Sequence, residues 1–145
     1  MKKLLILNGP NLNMLGIREP EHYGRASYAD LVELCKAHAE KLGVAVECRQ
    51  SNHEGTLVDY IQEAYFEGVD GIVFNPAAYT HTSVALLDAL KSAQIPTVEV
   101  HISKVEERED FRQRSFVRAA CIATISGHGF AGYTEAMDLL MEHLR

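Results

Sequence analysis

Five short apolar runs alternate with four amphipathic segments along this chain, and that alternation restricts its possible folds more than any other feature. The runs occupy 3–7, 44–49, 71–74, 97–100 and 120–125, each four to six residues long and rich in Val, Ile or Leu. Runs of that length and composition suit strands covered on both faces. The helical patterns fall at 28–42, 56–66, 82–93 and 134–144. In the first, Leu31, Leu34, Cys35 and Ala39 recur at three-and-four spacing, and Gly43 stands where a C-cap glycine belongs. The second ends at Gly68, and Ile95-Pro96 closes the third. Such alternation predicts an α/β unit with about five parallel strands. Right-handed crossovers then place helices on both faces of a doubly wound sheet, in the flavodoxin-like strand order 2-1-3-4-5. At 145 residues the expectation is one catalytic domain over 1–145.

Sheets of this kind bind ligands beyond the carboxyl ends of their strands, where the chain order reverses. Polar residues gather there. After the third run come Asn75-Pro76-Ala77-Ala78-Tyr79-Thr80-His81-Thr82-Ser83, and around the end of the fourth Glu99-Val100-His101-Ile102-Ser103. The connection after the first run is far longer than the usual two to six residues of a strand-to-helix loop. It carries apolar Leu12, Met14, Leu15 and Ile17, a cation (Arg18) and a phenol (Tyr23), with Gly16 and Gly24 as hinges. We read it as an active-site lid.

Several classes of function are disfavoured. A net charge of −6 argues against a nucleic-acid or anionic-membrane surface. Three widely spaced cysteines form neither a disulfide framework nor a zinc knuckle. No leader is evident before the first apolar run and no run is long enough to span a bilayer, so a cytoplasmic protein is expected. His81, Glu99 and His101 are residue types that bind metals, yet no ligand spacing such as His-Glu-x-x-His appears, and no metal is predicted. Gly127-His128-Gly129-Phe130-Ala131-Gly132 matches a dinucleotide fingerprint. That site needs a further strand bearing an acid about 20 residues on, whereas only 13 residues follow Gly132 here. Turn geometry and close helix packing explain the glycines better.

Nor is there a Gly-x-Ser-x-Gly elbow or a phosphate loop, and none of the six lysines sits within an apolar strand where desolvation would ready it for a Schiff base. What remains is a phenol near an arginine, two histidines, amides and a late basic cluster: Lys104, Arg108, Arg112, Arg114 and Arg118. That cluster reads either as a small-anion site or as a solvated face. The set suits proton transfer on an anionic, hydroxylated small molecule. A non-catalytic flavodoxin-like binding module is the rival, weakened by the absence of any Trp to stack a flavin.

The motif Asn-Gly-Pro-Asn-Leu-Asn-x-Leu-Gly-x-Arg-x-Pro-x-x-Tyr-Gly from Asn8 resembles the type II 3-dehydroquinate dehydratases. So do Asn-Pro-x-x-Tyr-x-His-x-Ser from Asn75, Glu-Val-His-Ile-Ser from Glu99, Arg-x-x-Phe-Arg ending at Arg112, and the glycine-rich turn ending at Tyr133. The resemblance runs over essentially the whole chain. It implies a lyase that converts 3-dehydroquinate to 3-dehydroshikimate and water, by anti elimination through an enolate, in the shikimate pathway or in quinate breakdown. It further implies Tyr23 as base, Arg18 as its activator with Arg108 nearby, and Asn11 stabilising the enolate through a water. His101 becomes the general acid, oriented by Glu99 and aided by Asn75. Ile102 and Ser103 receive the substrate carboxylate on their N–H groups, Arg112 and His81 bind ring hydroxyls, and Asp88 reaches over from a neighbouring subunit. No cofactor or metal is implied, and the assembly is a homododecamer built from trimers. One departure stands out: the family usually has Asn where this chain has Lys104.

Overall fold

The computed structural model describes residues 1–17, 26–104 and 109–145. Arg18, Tyr23 and Arg108 lie outside the described residues.

The five strands are β1 (Lys3–Asn8), β2 (Ala45–Gln50), β3 (Gly71–Asn75), β4 (Thr97–His101) and β5 (Ala123–Ser126). They pair in parallel in the order β2-β1-β3-β4-β5, as expected. The helices are α1 (Tyr28–Leu42), α2 (Glu54–Phe66), α3 (Val84–Ala93) and α4 (Ala131–His143). Side chains alternate across the sheet. Leu4, Ile6, Val73, Val98 and Val100 join Leu31 and Cys35 of α1 and Tyr133, Met137 and Leu140 of α4 in one core. Leu5, Leu7, Ile72 and Phe74 join Leu57 and Ile61 of α2 and Leu86 and Leu90 of α3 in the other.

Local chemistry sets the ends of the helices. Ser27 Oγ accepts the Asp30 N–H while Asp30 Oδ2 accepts the Ser27 N–H, a capping box that opens α1. Gly43, at φ 70°, closes that helix. Ser83 Oγ accepts the Leu86 N–H and starts α3 two residues later than the sequence pattern suggests, because 77–81 forms a 3-10 turn ahead of it. In the glycine-rich turn, Gly127 and Gly129 have φ of 82° and 61°. A Cβ on Gly132 would sit 3.3 Å from Ile125 Cγ2, so close helix-to-sheet packing is what that position requires.

Strand boundaries differ from expectation in two informative ways. β1, β3 and β4 each run one residue past the last apolar position, taking Asn8, Asn75 and His101 into the ladder. The expected strand at 120–125 is instead a 3-10 turn over Val117–Ala120, a short link, and β5. Cys121 Sγ bonds the Val117 carbonyl, and the Cys121 N–H bonds Arg118, so this stretch is held as a turn before pairing begins.

Candidate active site

β4 ends in the most heavily bonded carboxylate of the described chain. Glu99 is 0% exposed and lies two residues before His101, which puts both side chains on the α2/α3 face of the sheet. His101 Nε2 is 2.5 Å from Glu99 Oε2, and Arg118 Nη2 donates to that same oxygen at 3.2 Å. The other oxygen accepts from Ser115 Oγ (3.1 Å), Arg118 Nε (3.3 Å) and Thr124 Oγ1 (3.4 Å). Burial would push this carboxyl up, but the hydrogen bonds and charges of His101 and Arg118 outweigh it and hold the group down at about 2. Glu99 is therefore an anion throughout the working pH range. It fixes the His101 ring, whose Nδ1 has no hydrogen-bond partner among the described residues.

Next to this pair stands His81, on the 3-10 turn after β3. Its Nδ1 lies 2.7 Å from the Arg114 carbonyl, which can only accept, so Nδ1 carries the hydrogen and neutral Nε2 is an acceptor. Burial depresses its pKa, and the nearby charges of His101 and Arg112 depress it further against that backbone bond. Arg112 is held by Glu109, with its guanidinium 5.3 Å from the Phe111 ring. The late basic cluster thus divides. Arg118 serves buried Glu99, Arg112 faces the His81 neighbourhood, and Arg114 contributes its carbonyl while stacking over Phe116 at 5.5 Å.

The turn after β4 is fixed by two backbone hydrogen bonds from the glycine-rich turn. The Gly127 N–H donates to the His101 carbonyl and the Gly129 N–H to the Ile102 carbonyl, at 3.2 and 3.0 Å. In a trans peptide the N–H points opposite to the C=O. The N–H groups of Ile102 and Ser103 therefore point away from the glycine turn, two in succession, an arrangement from which a backbone can bind an anion. The Lys104 stem lies over Gly127, where a Cβ would meet its Cγ at 2.2 Å.

On the opposite face of the sheet, Asn75 bonds to Tyr133 and Ala77 rather than to His101. The loop after β1 is pinned from the side. Asn11, exposed and left-handed at φ 70°, donates its N–H to Asn52 Oδ1, and Gln50 Nε2 donates to the Gly9 carbonyl and to Asn52. Tyr79 Oη donates to the Asn52 carbonyl, tying in the loop after β3. Asp88 is exposed on α3 with no partner among the described residues and is not part of this gathering.

The structure thus brings Glu99, His101, His81, Arg112, Ile102 and Ser103 to one edge, with Asn11 and Asn75 at the neighbouring strand ends. Sequence reasoning missed Ser115 and Thr124 around Glu99 and Tyr28 behind Asn75, and it named Arg118, Asn8 and Tyr133 without the roles they have here. A buried Glu inside an apolar strand was the available signal, because such a carboxylate demands partners. Among the described residues no group of three or more His, Cys, Asp or Glu is placed to hold a metal. Grooves bounded by Leu90, Gln94 and Pro96 and by Gln62, Phe66 and Ala93 lie at the other end of the sheet.

The family model described as dehydroquinase class II matches residues 2–141. A 3-dehydroquinate dehydratase of Clostridium perfringens strain 13 is 50% identical over 143 residues, covering 99% of this chain and 98% of that protein. A type II dehydroquinase from Butyrivibrio crossotus DSM 2876 superposes with a TM-score of 0.95 at 52% identity, covering 97% of each chain. Another, from Propionibacterium acnes, gives 0.93 at 40% identity, covering 98% of this chain and 97% of that one.

Proposed function

This chain belongs to the dehydroquinase class II family, and on that footing we propose that it converts 3-dehydroquinate to 3-dehydroshikimate and water, as one catalytic domain over 1–145. The observation that carries the mechanism is the buried Glu99–His101 pair opening beside His81 at the sheet's carboxyl edge.

Tyr23 acts as base on the carbon next to the ketone. A free phenol titrates near 10, so only about one part in a thousand is ionised at pH 7. Bringing it to neutrality takes about 4 kcal/mol in favour of the anion, which Arg18, with Arg108, supplies when the lid over 12–25 excludes water. Asn11 supports the enolate through a water. His101, oriented by Glu99, protonates the departing hydroxyl, and Asn75 assists there. The N–H groups of Ile102 and Ser103 take the carboxylate, while His81 and Arg112 hold ring hydroxyls. Hydrogen bonds stabilise the enolate, so the chemistry calls for no cofactor or metal.

Asp88, exposed on α3, completes a neighbouring subunit's site in a homododecamer built from trimers. The reaction belongs to the shikimate pathway, and we place it in the cytoplasm. No described helix is long and apolar enough to cross a membrane. Tyr23→Phe tests the reading: substrate affinity is retained and most of kcat is lost, whereas turnover at the wild-type rate contradicts it.

A further inference from the structure

The last residues of β2, β1 and β3 are all carboxamides. Gln50, Asn8 and Asn75 stand side by side in the parallel register. Asn8 and Asn75 are 1% and 4% exposed, and the phenol of Tyr133, at 0%, joins them from the first turn of α4.

The bonds linking these groups have one direction. The Ala77 N–H donates to Asn75 Oδ1 at 3.0 Å, and a backbone N–H can only donate, so the amide nitrogen of Asn75 must face the other way. It donates to Tyr133 Oη at 3.0 Å. The single Tyr133 proton is then committed to Asn8 Oδ1 at 2.6 Å, and Asn8 Nδ2 turns toward Tyr28 Oη at 3.5 Å. Rotating the Asn75 amide by half a turn would set oxygen against the phenol oxygen and N–H against the Ala77 N–H. Ala77, whose N–H makes that bond to Asn75, has a left-handed φ of 54°, which a residue with a Cβ adopts at a cost. Burial pushes the Tyr133 pKa up, so the phenol keeps its proton and the direction persists. One Nδ2 hydrogen of Asn75 serves Tyr133. The second has no acceptor among the described residues.

We propose that Tyr133 and Asn8 are positioning residues that act through Asn75, fixing its carboxamide so that an N–H, and never its carbonyl, is offered to a hydroxyl oxygen of the bound substrate. The inference rests on the proposed function, which places Asn75 at the departing hydroxyl. That oxygen gains negative charge as its bond to carbon breaks, so a donor aimed at it binds more strongly in the transition state than in the ground state. A carbonyl in that position would accept from the intact hydroxyl and oppose its departure. The effect therefore falls on kcat rather than on KM.

A kinetic double-mutant cycle with 3-dehydroquinate tests this, using wild type, Tyr133→Phe, Asn75→Ala and the double variant. Tyr133→Phe is expected to lower kcat about tenfold, the worth of one hydrogen bond of ordinary strength, with KM within about twofold. Asn75→Ala lowers kcat at least as far, and adding Tyr133→Phe to it costs nothing more. Unchanged kcat in Tyr133→Phe, or losses that multiply in the double variant, overturns the inference while the proposed function stands. An inactive wild type overturns both. If Tyr133→Phe does not fold, Asn8→Leu serves in its place, since it keeps the side-chain shape and removes the acceptor of the Tyr133 proton together with the long contact to Tyr28. Its kcat loss must likewise vanish in the Asn75→Ala background, and persistence there contradicts the proposal. Leu140→Ala, on the same helix and equally buried, controls for destabilisation and leaves the kcat of folded enzyme unchanged.

Discussion

Glu99 and His101 are separated by one residue on β4, share a face of the sheet, and meet through Oε2 and Nε2 at 2.5 Å. A strand makes that contact from its own two-residue period, without help from a distant element. Arg118, Ser115 and Thr124 supply the bonds that keep the carboxylate charged inside the protein.

Replacing that carboxylate has two separable consequences. Glu99→Gln removes the charge that orients and supports His101, so kcat is expected to fall about 10- to 100-fold, as for other groups that orient a catalytic histidine. Stability changes with it. The folded carboxyl titrates at about 2, below its ordinary 4.5, so its contribution is full above pH 4.5 and disappears as pH falls toward 2. A gap of about 2.5 pH units corresponds to roughly 3 kcal/mol. Denaturant melts at successive pH values between 5 and 2 should show wild type losing stability more steeply than Glu99→Gln. Parallel curves would contradict the assignment.

His81 is expected to be neutral, with the hydrogen on Nδ1, under working conditions. Its Nδ1 contact to the Arg114 carbonyl fixes the tautomer, and burial with nearby positive charge lowers its pKa from 6.5. A nitrogen-15 titration should place its midpoint below 6.5 with Nε2 unprotonated above that point. A midpoint above 6.5 rules this environment out. His81→Ala should raise KM more than it lowers kcat, because the proposed contact is to a ring hydroxyl that does not react.

Two glycines give opposite expectations. A Cβ on Gly9 would come within 2.4 Å of the Pro76 carbonyl oxygen, where the loops after β1 and β3 touch. Gly9→Ala must push those loops apart, costing about 1–3 kcal/mol and lowering activity with it. Gly55, in α2, has nothing within 4 Å of an added Cβ and no left-handed φ. Gly55→Ala should gain about 0.5–1 kcal/mol through helix propensity, with activity unchanged. Denaturation midpoints and kcat measured side by side check both.

The Lys104 stem lies over Gly127 beside the Ile102–Ser103 turn. An exposed charge near a bound carboxylate is worth about 0.2–1 kcal/mol. Lys104→Asn should therefore raise KM by up to about fivefold, more at low salt than at high, with kcat within about twofold. A kcat collapse would mean that Lys104 belongs to the chemistry.

Apolar periodicity was sufficient to read the sheet, because each buried strand announces itself through Val, Ile and Leu. It stopped one residue early at Asn8, Asn75 and His101, since a polar residue gives no hydrophobic signal even when it continues the ladder. It also took 120–125 for a strand, where Cys121 and Ile122 only lead into β5 behind a 3-10 turn. The motifs singled out His101 and Glu99, whose partners 16 to 25 residues later in the chain only folding reveals. Tyr133 reads in sequence only as the end of the glycine-rich turn, yet its hydroxyl reaches Asn8 across 125 residues. Local rules fail together at this edge. Asn11 and Ala77 are left-handed, and Thr80 Oγ1 is buried without a partner among the described residues. Natural chains tolerate such conflicts mainly where function requires them.

In the proposed mechanism, proton abstraction and loss of hydroxyl go through an enolate, with no lysine imine. Ultraviolet absorbance of the conjugated enone product follows turnover of 3-dehydroquinate by the purified protein, with and without borohydride treatment in the presence of substrate. The account predicts equal rates in both samples, since no imine forms that borohydride can reduce. Inactivation by borohydride, with reduced substrate left attached to a lysine, would contradict it.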